Sequence, residues 1–172
     1  VQELFVPLLA EAGRRWLDRT LPVEAEHLLG HLVFERIHAI RNARPAPPPS
    51  APKVVCACVP GDLHELGLLT ATLVLDERGT KVTYLGSNLP LHSLAHALEE
   101  ISPKLLVLSA TLPPSQKTLA GLEGAFKNGL FDDIHIVCGG AGASAVSEAL
   151  DGRPVVVENT EEFTRCVDEL LG

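Results

Sequence analysis

From residue 53 to its end, the sequence repeats one pattern five times, and this repetition constrains the fold more than any other feature. A short apolar run leads through a turn into a longer segment with helical spacing of its apolar residues. The runs VVCACV, LLVLSA and IHIVC are continuously apolar, which is typical of strands covered on both faces. Strands that alternate with helices predict a parallel sheet between two helical layers. The predicted strands are 53–59, 81–85, 104–109, 134–138 and 154–157, and the predicted helices are 64–78, 90–101, 114–128, 144–150 and 161–171.

The fold class is therefore predicted to be α/β, a flavodoxin-like doubly wound sheet of five parallel strands, preceded by part of an α-helical bundle. Residues 45–52 read PAPPPSAP, with five prolines in eight positions, and this composition favours an extended, semi-rigid linker. We predict three parts: a helical segment at 1–43, the proline-rich linker at 44–52 and the α/β domain at 53–172.

The segment before the linker has helical spacing. Its second half places apolar residues at 25, 28, 29, 32, 33, 37 and 40, which predicts a helix with one buried face that begins near Pro22. A helix over about residues 3–17 is predicted before it. Two helices cannot form a core of their own, so they must pack on another part of the protein or on a partner.

In a doubly wound sheet, the loops that follow the strands meet at one edge, where ligands bind. Here those loops carry small and hydroxylated residues around a single histidine. An ordinary polar loop, or a helix capped by Asp62, would explain the first of these loops without any ligand. The candidate ligand-binding residues at this edge are Asp62, His64, Gly67, Ser109, Thr111, Gly139 and Gly140.

Two common uses of such an edge are disfavoured. A phosphorylation receiver domain needs an aspartate at the end of the third strand, where this chain has Ser109-Ala110-Thr111. A dinucleotide site needs GxGxxG after the first strand, and that motif is absent there. A third use is a large ligand with a long tail, held by His64 and lying in a slot lined by small residues.

The set Asp62-x-His64-x-x-Gly67, Ser109-x-Thr111 and Gly139-Gly140 resembles the motifs of cobalamin-binding domains that bind the cofactor base-off. The resemblance covers about residues 53–172. It implies that His64 replaces the cofactor's own base as the lower axial ligand of cobalt, and that the displaced nucleotide tail occupies the slot. Because a ligating imidazole usually donates its other N–H to a carboxylate, Asp62 is the expected partner of His64.

Upstream, Trp16 is followed after nine residues by Glu26-His27, a spacing that resembles the light-sensing cobalamin regulators of the CarH and LitR kind. The segment Tyr84-Leu85-Gly86 with Pro90 is also similar to theirs. This resemblance implies that residues 1–43 form a helical cap over the upper face of the cofactor, where Trp16, Glu26 and His27 contact its upper ligand. The alternative is that Trp16 is a core residue that joins two helices.

One position departs from that resemblance. In well-known members a histidine directly follows the tryptophan and becomes the upper cobalt ligand after photolysis, whereas this chain has Leu17. His27, His31 and His38 recur along one helix and offer a substitute, although exposed histidines on an amphipathic helix are the simpler interpretation.

Composition limits the other function classes. A net charge of −8 with no basic run argues against nucleic-acid binding by this segment, since phosphate contacts need Lys and Arg. The four cysteines form no CxxC pair and lie mainly in apolar runs, which predicts reduced, buried thiols and a cytoplasmic location. No apolar run is long enough to cross a membrane, and because no charged-then-apolar segment is seen, we expect no signal peptide.

Together these features predict the cobalamin-binding, light-sensing module of a transcriptional regulator rather than an enzyme. Adenosylcobalamin is the expected cofactor, with methylcobalamin or hydroxocobalamin as alternatives. The chain begins with Val, so we expect a fragment whose MerR-like DNA-binding domain lies upstream, and we expect a homo-oligomer. Two alternatives stay open: a corrinoid carrier domain of a methyltransferase, and a cobalamin-binding antirepressor without a DNA-binding domain.

Overall fold

The structure is a computed structural model that describes residues 7, 8, 11, 14, 15 and 18–172. The chain divides into two compact units, Val1–Ala46 and Pro47–Gly172. In the first unit, helix α1 covers Val23–Asn42, and Pro22 precedes it in an extended conformation. The helix predicted over residues 3–17 falls largely on residues that the structure does not describe, and its described positions 7, 8, 11, 14 and 15 are helical.

The buried face of α1 is narrower than its sequence pattern predicts. Val33 and Ile37 are buried, but Leu28 and Leu32 are 60% and 52% exposed. The prediction that all of the helically spaced apolar residues are buried is therefore wrong for these two leucines. Periodicity identifies the helix, but it does not tell how much of the apolar stripe is covered.

The second unit alternates strands and helices along its whole length. Their bounds differ from the predicted ones by no more than two residues at each end. The elements are β1 Lys53–Cys58, α2 Leu66–Glu77, β2 Lys81–Gly86, α3 Leu91–Ile101, β3 Leu105–Ser109, α4 Gln116–Lys127, β4 His135–Gly139, α5 Ala143–Ala149, β5 Val155–Val157 and α6 Thr160–Leu171.

All neighbouring strands pair in parallel, in the order β2-β1-β3-β4-β5. This order confirms the predicted flavodoxin-like, doubly wound α/β fold. The chain moves outward from β1 to β2 and then crosses back to β3 on the other side of β1. The carboxyl ends of β1 and β3 therefore flank the topological switch point, where this fold opens a crevice for ligands.

Strand β1 shows why both faces of the sheet need helices. Successive side chains of a strand point to opposite faces. Val55, Ala57 and Val59 lie in the core with α3, α4 and α5, whereas Val54, Cys56 and Cys58 lie in the core with α2 and α6. Every residue of β1 after Lys53, and every residue of β3, is buried. The central strands thus form a rigid base for the loops at the switch point.

All four cysteines are buried and none of them forms a disulfide, as predicted. Among the described residues, no helix is both long enough and apolar enough to span a membrane.

Candidate functional site

The loop after β1 brings Asp62 and His64 together at the switch point. The Asp62 side chain is only 2% exposed, whereas the His64 side chain is 57% exposed. Oδ1 of Asp62 lies 2.9 Å from Nδ1 of the His64 ring and also accepts the His64 backbone N–H at 2.9 Å. A buried carboxylate therefore fixes one ring nitrogen of an exposed imidazole, and Nε2 is the ring nitrogen left for a ligand.

The electrostatics of Asp62 determine which ring nitrogen carries the proton. Burial acts to raise the pKa of this carboxyl group, but hydrogen bonds from the His64 backbone, the His64 ring and the Thr111 backbone N–H outweigh it. The pKa of Asp62 is therefore lowered, and the carboxylate is ionised at neutral pH. An ionised carboxylate can only accept hydrogen bonds, so Nδ1 of His64 is the donor, and in the neutral ring Nε2 carries the lone pair.

Loops from both neighbouring strands hold this arrangement. After β3, the Thr111 backbone N–H donates to Oδ2 of Asp62 at 2.5 Å, and the Thr111 hydroxyl donates to the His64 carbonyl at 3.3 Å. After β2, the Asn88 backbone N–H donates to the Asp62 carbonyl at 2.8 Å, and Oδ1 of Asn88 accepts the Gly61 N–H at 2.9 Å. The β1 loop is thus fixed from both sides.

These bonds also explain two differences from the sequence prediction. The helix predicted to begin at His64 begins at Leu66, because the His64 backbone and ring are both committed to Asp62. The alternative that Asp62 caps this helix is wrong. Glu65 occupies the capping position and makes no side-chain capping bond.

The candidate glycines differ in the space around them. A Cβ on Gly67, in the first turn of α2, would meet nothing within 4 Å, and a Cβ on Gly139 would reach Val157 at an ordinary 3.6 Å. Gly140 has φ +101, and its Cβ would lie 2.4 Å from the Ala110 carbonyl oxygen. Gly67 therefore borders open space, whereas backbone packing alone is sufficient to require glycine at position 140.

Ser109 and Cys58 lie at the base of the site, at the ends of β3 and β1. Both residues are buried. Burial, together with the negative charges of Asp62 and Glu65, raises the pKa of Cys58 to about 12. The thiol is therefore neutral, and its Sγ lies 3.8 Å from the His64 carbonyl oxygen.

A second polar pair lies beside the histidine. The Tyr84 hydroxyl donates to Oε2 of Glu65 at 2.9 Å. Burial and this hydrogen bond raise the pKa of Tyr84, so the phenol stays protonated and acts as the donor. A Cβ on Gly86 would lie 3.1 Å from the same Glu65 oxygen, so Gly86 leaves room for this carboxylate.

The candidate residues of the first unit are described only in part. Trp16 and Leu17 lie outside the described residues. Glu26 lies in α1, and its side chain is not described. His27 and His31 are exposed on α1, and His31 pairs with Glu35 at 3.3 Å. His38 is half-buried, with its ring centroid 4.4 Å from that of Phe34.

The binding residues predicted from the sequence did not include Asn88, Tyr84 or Glu65. Asn88 carried a signal, because asparagine shortly after a strand-ending glycine often adopts the left-handed conformation that the structure shows, φ +50. The Tyr84–Glu65 pair joins residues 19 positions apart, and no local pattern indicates such a bond.

The fold and the site define an α/β domain that presents one oriented imidazole at the switch point of a parallel sheet. Residues 52–167 match the family described as the B12 binding domain, and this match covers more than half of the chain. The chain belongs to the B12-binding domain family and is a cobalamin-binding domain.

Two curated relatives are transcriptional repressors of Myxococcus xanthus. The chain is 34% identical to the HTH-type transcriptional repressor CarH over 93% of this chain and 53% of the repressor. It is 34% identical to the HTH-type transcriptional repressor CarA over 80% of this chain and 46% of that protein. The chain thus spans about half the length of these relatives. The match to CarH is longer than the second unit, so it extends into the N-terminal helical unit.

The structure is also similar to that of the monomethylamine corrinoid protein of Methanosarcina barkeri. The TM-score is 0.67 with 16% identity, and the similarity covers 94% of this chain and 78% of the other. At this identity the likeness concerns the fold. It agrees with the order of strands and helices in the second unit.

The residues present at the switch point fit a cobalamin. Cobalt is commonly ligated by imidazole nitrogen, and a ligating histidine typically donates its other N–H to a carboxylate. His64 and Asp62 have this arrangement, and the exposed ring leaves Nε2 accessible. The open space at Gly67 agrees with a ligand that lies close to the backbone. Among the described residues no group of three or more His, Cys, Asp or Glu is placed to hold a metal ion.

Proposed function

We propose that this chain is the light-sensing cobalamin module of a transcriptional regulator, and that His64 is its lower cobalt ligand. The observation that carries this proposal is the match to the repressor CarH, which covers 93% of the chain and therefore includes most of the helical unit. A shared cobalamin domain alone is compatible with several functions. Sequence identity of 34% that continues into the helices in front of it favours a regulator, whereas the likeness to the corrinoid protein over 94% of the chain is one of fold, at 16% identity.

His64 binds cobalt through Nε2 in this proposal. Asp62 holds the proton on Nδ1, and its ionised state increases the basicity of the ring. The hydrogen bonds of Asp62 to His64 and Thr111 fix the ring before the cofactor arrives. Such preorganisation lowers the entropic cost of binding. A histidine held in this way would take the place of the cofactor's own base.

Small residues beside the histidine receive the displaced nucleotide tail. Gly67 lies one turn after His64, and its Cα borders open space. Ser109, Thr111, Gly139 and Gly140 stand at the ends of β3 and β4, which follow one another in the sheet. Ser109 is buried and the Thr111 hydroxyl already donates to the His64 carbonyl, so their contribution to the slot is mainly to keep its walls in place.

Residues 1–43 act as a helical cap, joined to the cobalamin domain at 53–172 by the linker 44–52. Trp16, Glu26 and His27 contact the upper ligand, which is adenosyl in the expected form of the cofactor. Bound alkylcobalamin supplies a cobalt–carbon bond that visible light can break. Loss of the upper ligand would remove its contacts with the helices, and the change in their packing would alter the oligomeric state and, through a DNA-binding domain outside this chain, DNA binding.

Reconstitution with adenosylcobalamin in the dark tests the proposal. The expected result is a base-off, histidine-ligated absorption spectrum that changes permanently on illumination with green light. Light scattering coupled to gel filtration is expected to show different oligomeric states before and after light. Failure to bind cobalamin would overturn the assignment of His64, and binding without any response to light would overturn the sensor.

The identity of the lower ligand needs a test of its own. His64→Ala is expected to abolish histidine ligation, whereas His92→Ala, which removes an exposed histidine from α3, is expected to leave it unchanged. Electron paramagnetic resonance of the Co(II) form gives a direct readout. In protein labelled with ¹⁵N-histidine, a nitrogen splitting with the pattern of ¹⁵N identifies a protein ligand, and the ¹⁴N pattern identifies the cofactor's own base.

The same preparations separate the alternatives. Methyl transfer from bound methylcobalamin to a thiol or folate acceptor would favour a corrinoid carrier of a methyltransferase. Capture of a repressor protein by the cobalamin-loaded chain, without an upstream DNA-binding domain in the gene, would favour an antirepressor.

A further inference from the structure

We propose that Asn88 is a positioning residue for His64, and that it acts by holding the Gly61–Asp62 segment of the β1 loop. This inference rests on the proposed role of His64 as a cobalt ligand. Asn88 lies in the loop after β2, and it contacts Gly61 and Asp62 of the β1 loop. Its backbone N–H donates to the Asp62 carbonyl at 2.8 Å, and its side-chain Oδ1 accepts the Gly61 N–H at 2.9 Å.

The backbone of Asn88 is suited to this role. Its φ is +50, in the left-handed region that asparagine tolerates better than other residues with a side chain. Gly86, two residues earlier, also has a positive φ of +76. These two turns direct the chain back toward the β1 loop and bring both polar groups of Asn88 to it. A less common backbone conformation persists where surrounding contacts determine it.

The hydrogen bonds of Asn88 matter because Asp62 orients the His64 imidazole. Gly61 has φ +92, and its Cβ position meets nothing within 4 Å, so neighbouring side chains do not fix this glycine. The turn that contains Gly61 is closed by the Asp62 N–H, which donates to the Val59 carbonyl at 3.1 Å. The Asn88 side chain adds a restraint at the Gly61 N–H, and the Thr111 N–H holds the Asp62 carboxylate. Asp62 in turn orients the imidazole. Asn88 thus acts on the His64 ring through Gly61 and Asp62.

Asn88→Gly is the informative substitution, because glycine keeps the positive φ and removes only the side-chain acceptor. The matched control is Ser102→Gly, since Ser102 has a similar φ of +49 and precedes β3, at the opposite edge of the sheet. Asn88→Asp provides the rescue, because its carboxylate again accepts the Gly61 N–H. All three are made in the full chain, with hydroxocobalamin as the probe.

Two readouts are needed, one without the cofactor. In the cofactor-free protein, Asn88→Gly is expected to accelerate amide hydrogen exchange at Gly61, while Ser102→Gly does not. In the second readout, Asn88→Gly is expected to weaken hydroxocobalamin affinity about tenfold and to reduce the histidine-ligated fraction at saturation. Asn88→Asp is expected to restore both properties.

The inference is overturned if Asn88→Gly binds with unchanged affinity and histidine ligation, whether or not Gly61 exchange increases. It is also overturned if Ser102→Gly weakens binding equally, because the effect would then be one of general stability. If Asn88→Gly does not fold, faster amide hydrogen exchange at Gly61 in Asn88→Asp than in the unmodified chain would overturn the inference. Absence of histidine ligation in the unmodified chain would instead contradict the proposed function.

Discussion

Oδ1 of Asp62 bonds both the backbone N–H and the ring Nδ1 of His64, each at 2.9 Å. A single buried oxygen thereby fixes the main chain and the side chain of an exposed residue. The second oxygen is occupied by the Thr111 N–H, so the carboxylate has little freedom to move. The His64 side chain is exposed to a ligand, yet its ring is held in place. Both are possible because the group that holds the ring is the buried Asp62 carboxylate.

Replacing Asp62 with Asn is expected to lower hydroxocobalamin affinity between 10-fold and 100-fold, the usual range for the partner of a ligating histidine. An amide oxygen can still accept a hydrogen bond, but it lacks the charge that increases the basicity of the ring. Isothermal titration measures the affinity.

Asp133→Asn is the control for the Asp62 substitution, because it removes the same charge from an exposed position. Equal affinities of the two variants would contradict a specific role for Asp62.

The contribution of Asp62 to stability is expected to depend on pH. Its pKa lies below the ordinary value of 3.8, because its hydrogen bonds favour the ionised form. The stabilisation is therefore complete above the ordinary pKa and is lost as pH falls through the lower pKa of the folded state. Urea unfolding of the unmodified chain and of Asp62→Asn, from neutral pH into the acid range, measures the difference. If the difference in unfolding free energy between the two proteins grew as the pH fell below 3.8, this prediction would be contradicted.

Gly67→Ala is expected to separate stability from binding. No atom lies within 4 Å of the new Cβ, and alanine is favoured over glycine within a helix by up to about 1 kcal/mol, with less expected in the first turn. The cofactor-free protein should be as stable as before or slightly more stable, while cobalamin binding weakens as the methyl group enters the slot. Thermal unfolding and titration with hydroxocobalamin measure the two effects.

Gly124→Ala is the matched control for Gly67→Ala, because Gly124 is also helical and also has open space at its Cβ. It should gain stability and keep its affinity. Unchanged cobalamin binding by Gly67→Ala would exclude Gly67 from the slot.

The adjacent glycines of β4 and its loop are expected to respond very differently to alanine. Gly140→Ala should destabilise the protein by roughly 1–3 kcal/mol or more, since φ is +101 and its Cβ would overlap the Ala110 carbonyl. Gly139→Ala should cost much less, because its Cβ would contact Val157 at an ordinary distance. Denaturant unfolding of both variants tests this, and equal losses would contradict the structural explanation.

The thiols of Cys58 and Cys138 are expected to resist alkylation in the folded protein. Burial raises the pKa of Cys58 and of Cys138 to about 12, so neither is a thiolate near neutral pH. Alkylation by iodoacetamide at pH about 8, below the ordinary thiol pKa, should be slow in native conditions and rapid in denaturant. Fast native labelling located at Cys58 by mass spectrometry would contradict its burial beneath the site.

Much of the fold was predictable because its signals are local. The apolar runs of β1 and β3 are buried on both faces, so their composition alone indicates central parallel strands. The start of α2 was predicted two residues too early. Its beginning depends on the hydrogen bonds of His64 to Asp62, and apolar periodicity does not report such bonds. Leu28 and Leu32 were predicted to be buried for a similar reason, since periodicity does not reveal what covers a helix face.

The sequence by itself determined the alternation of strands and helices, the loops that meet at one edge, and the residue types from which that edge is built. Tertiary structure alone decided how those residues act together. It placed Asn88 and Thr111 on either side of Asp62, and it paired Tyr84 with Glu65. The physical reason is that a strand is defined by its own residues, whereas the orientation of His64 depends on hydrogen bonds from three loops that only the order of strands brings together.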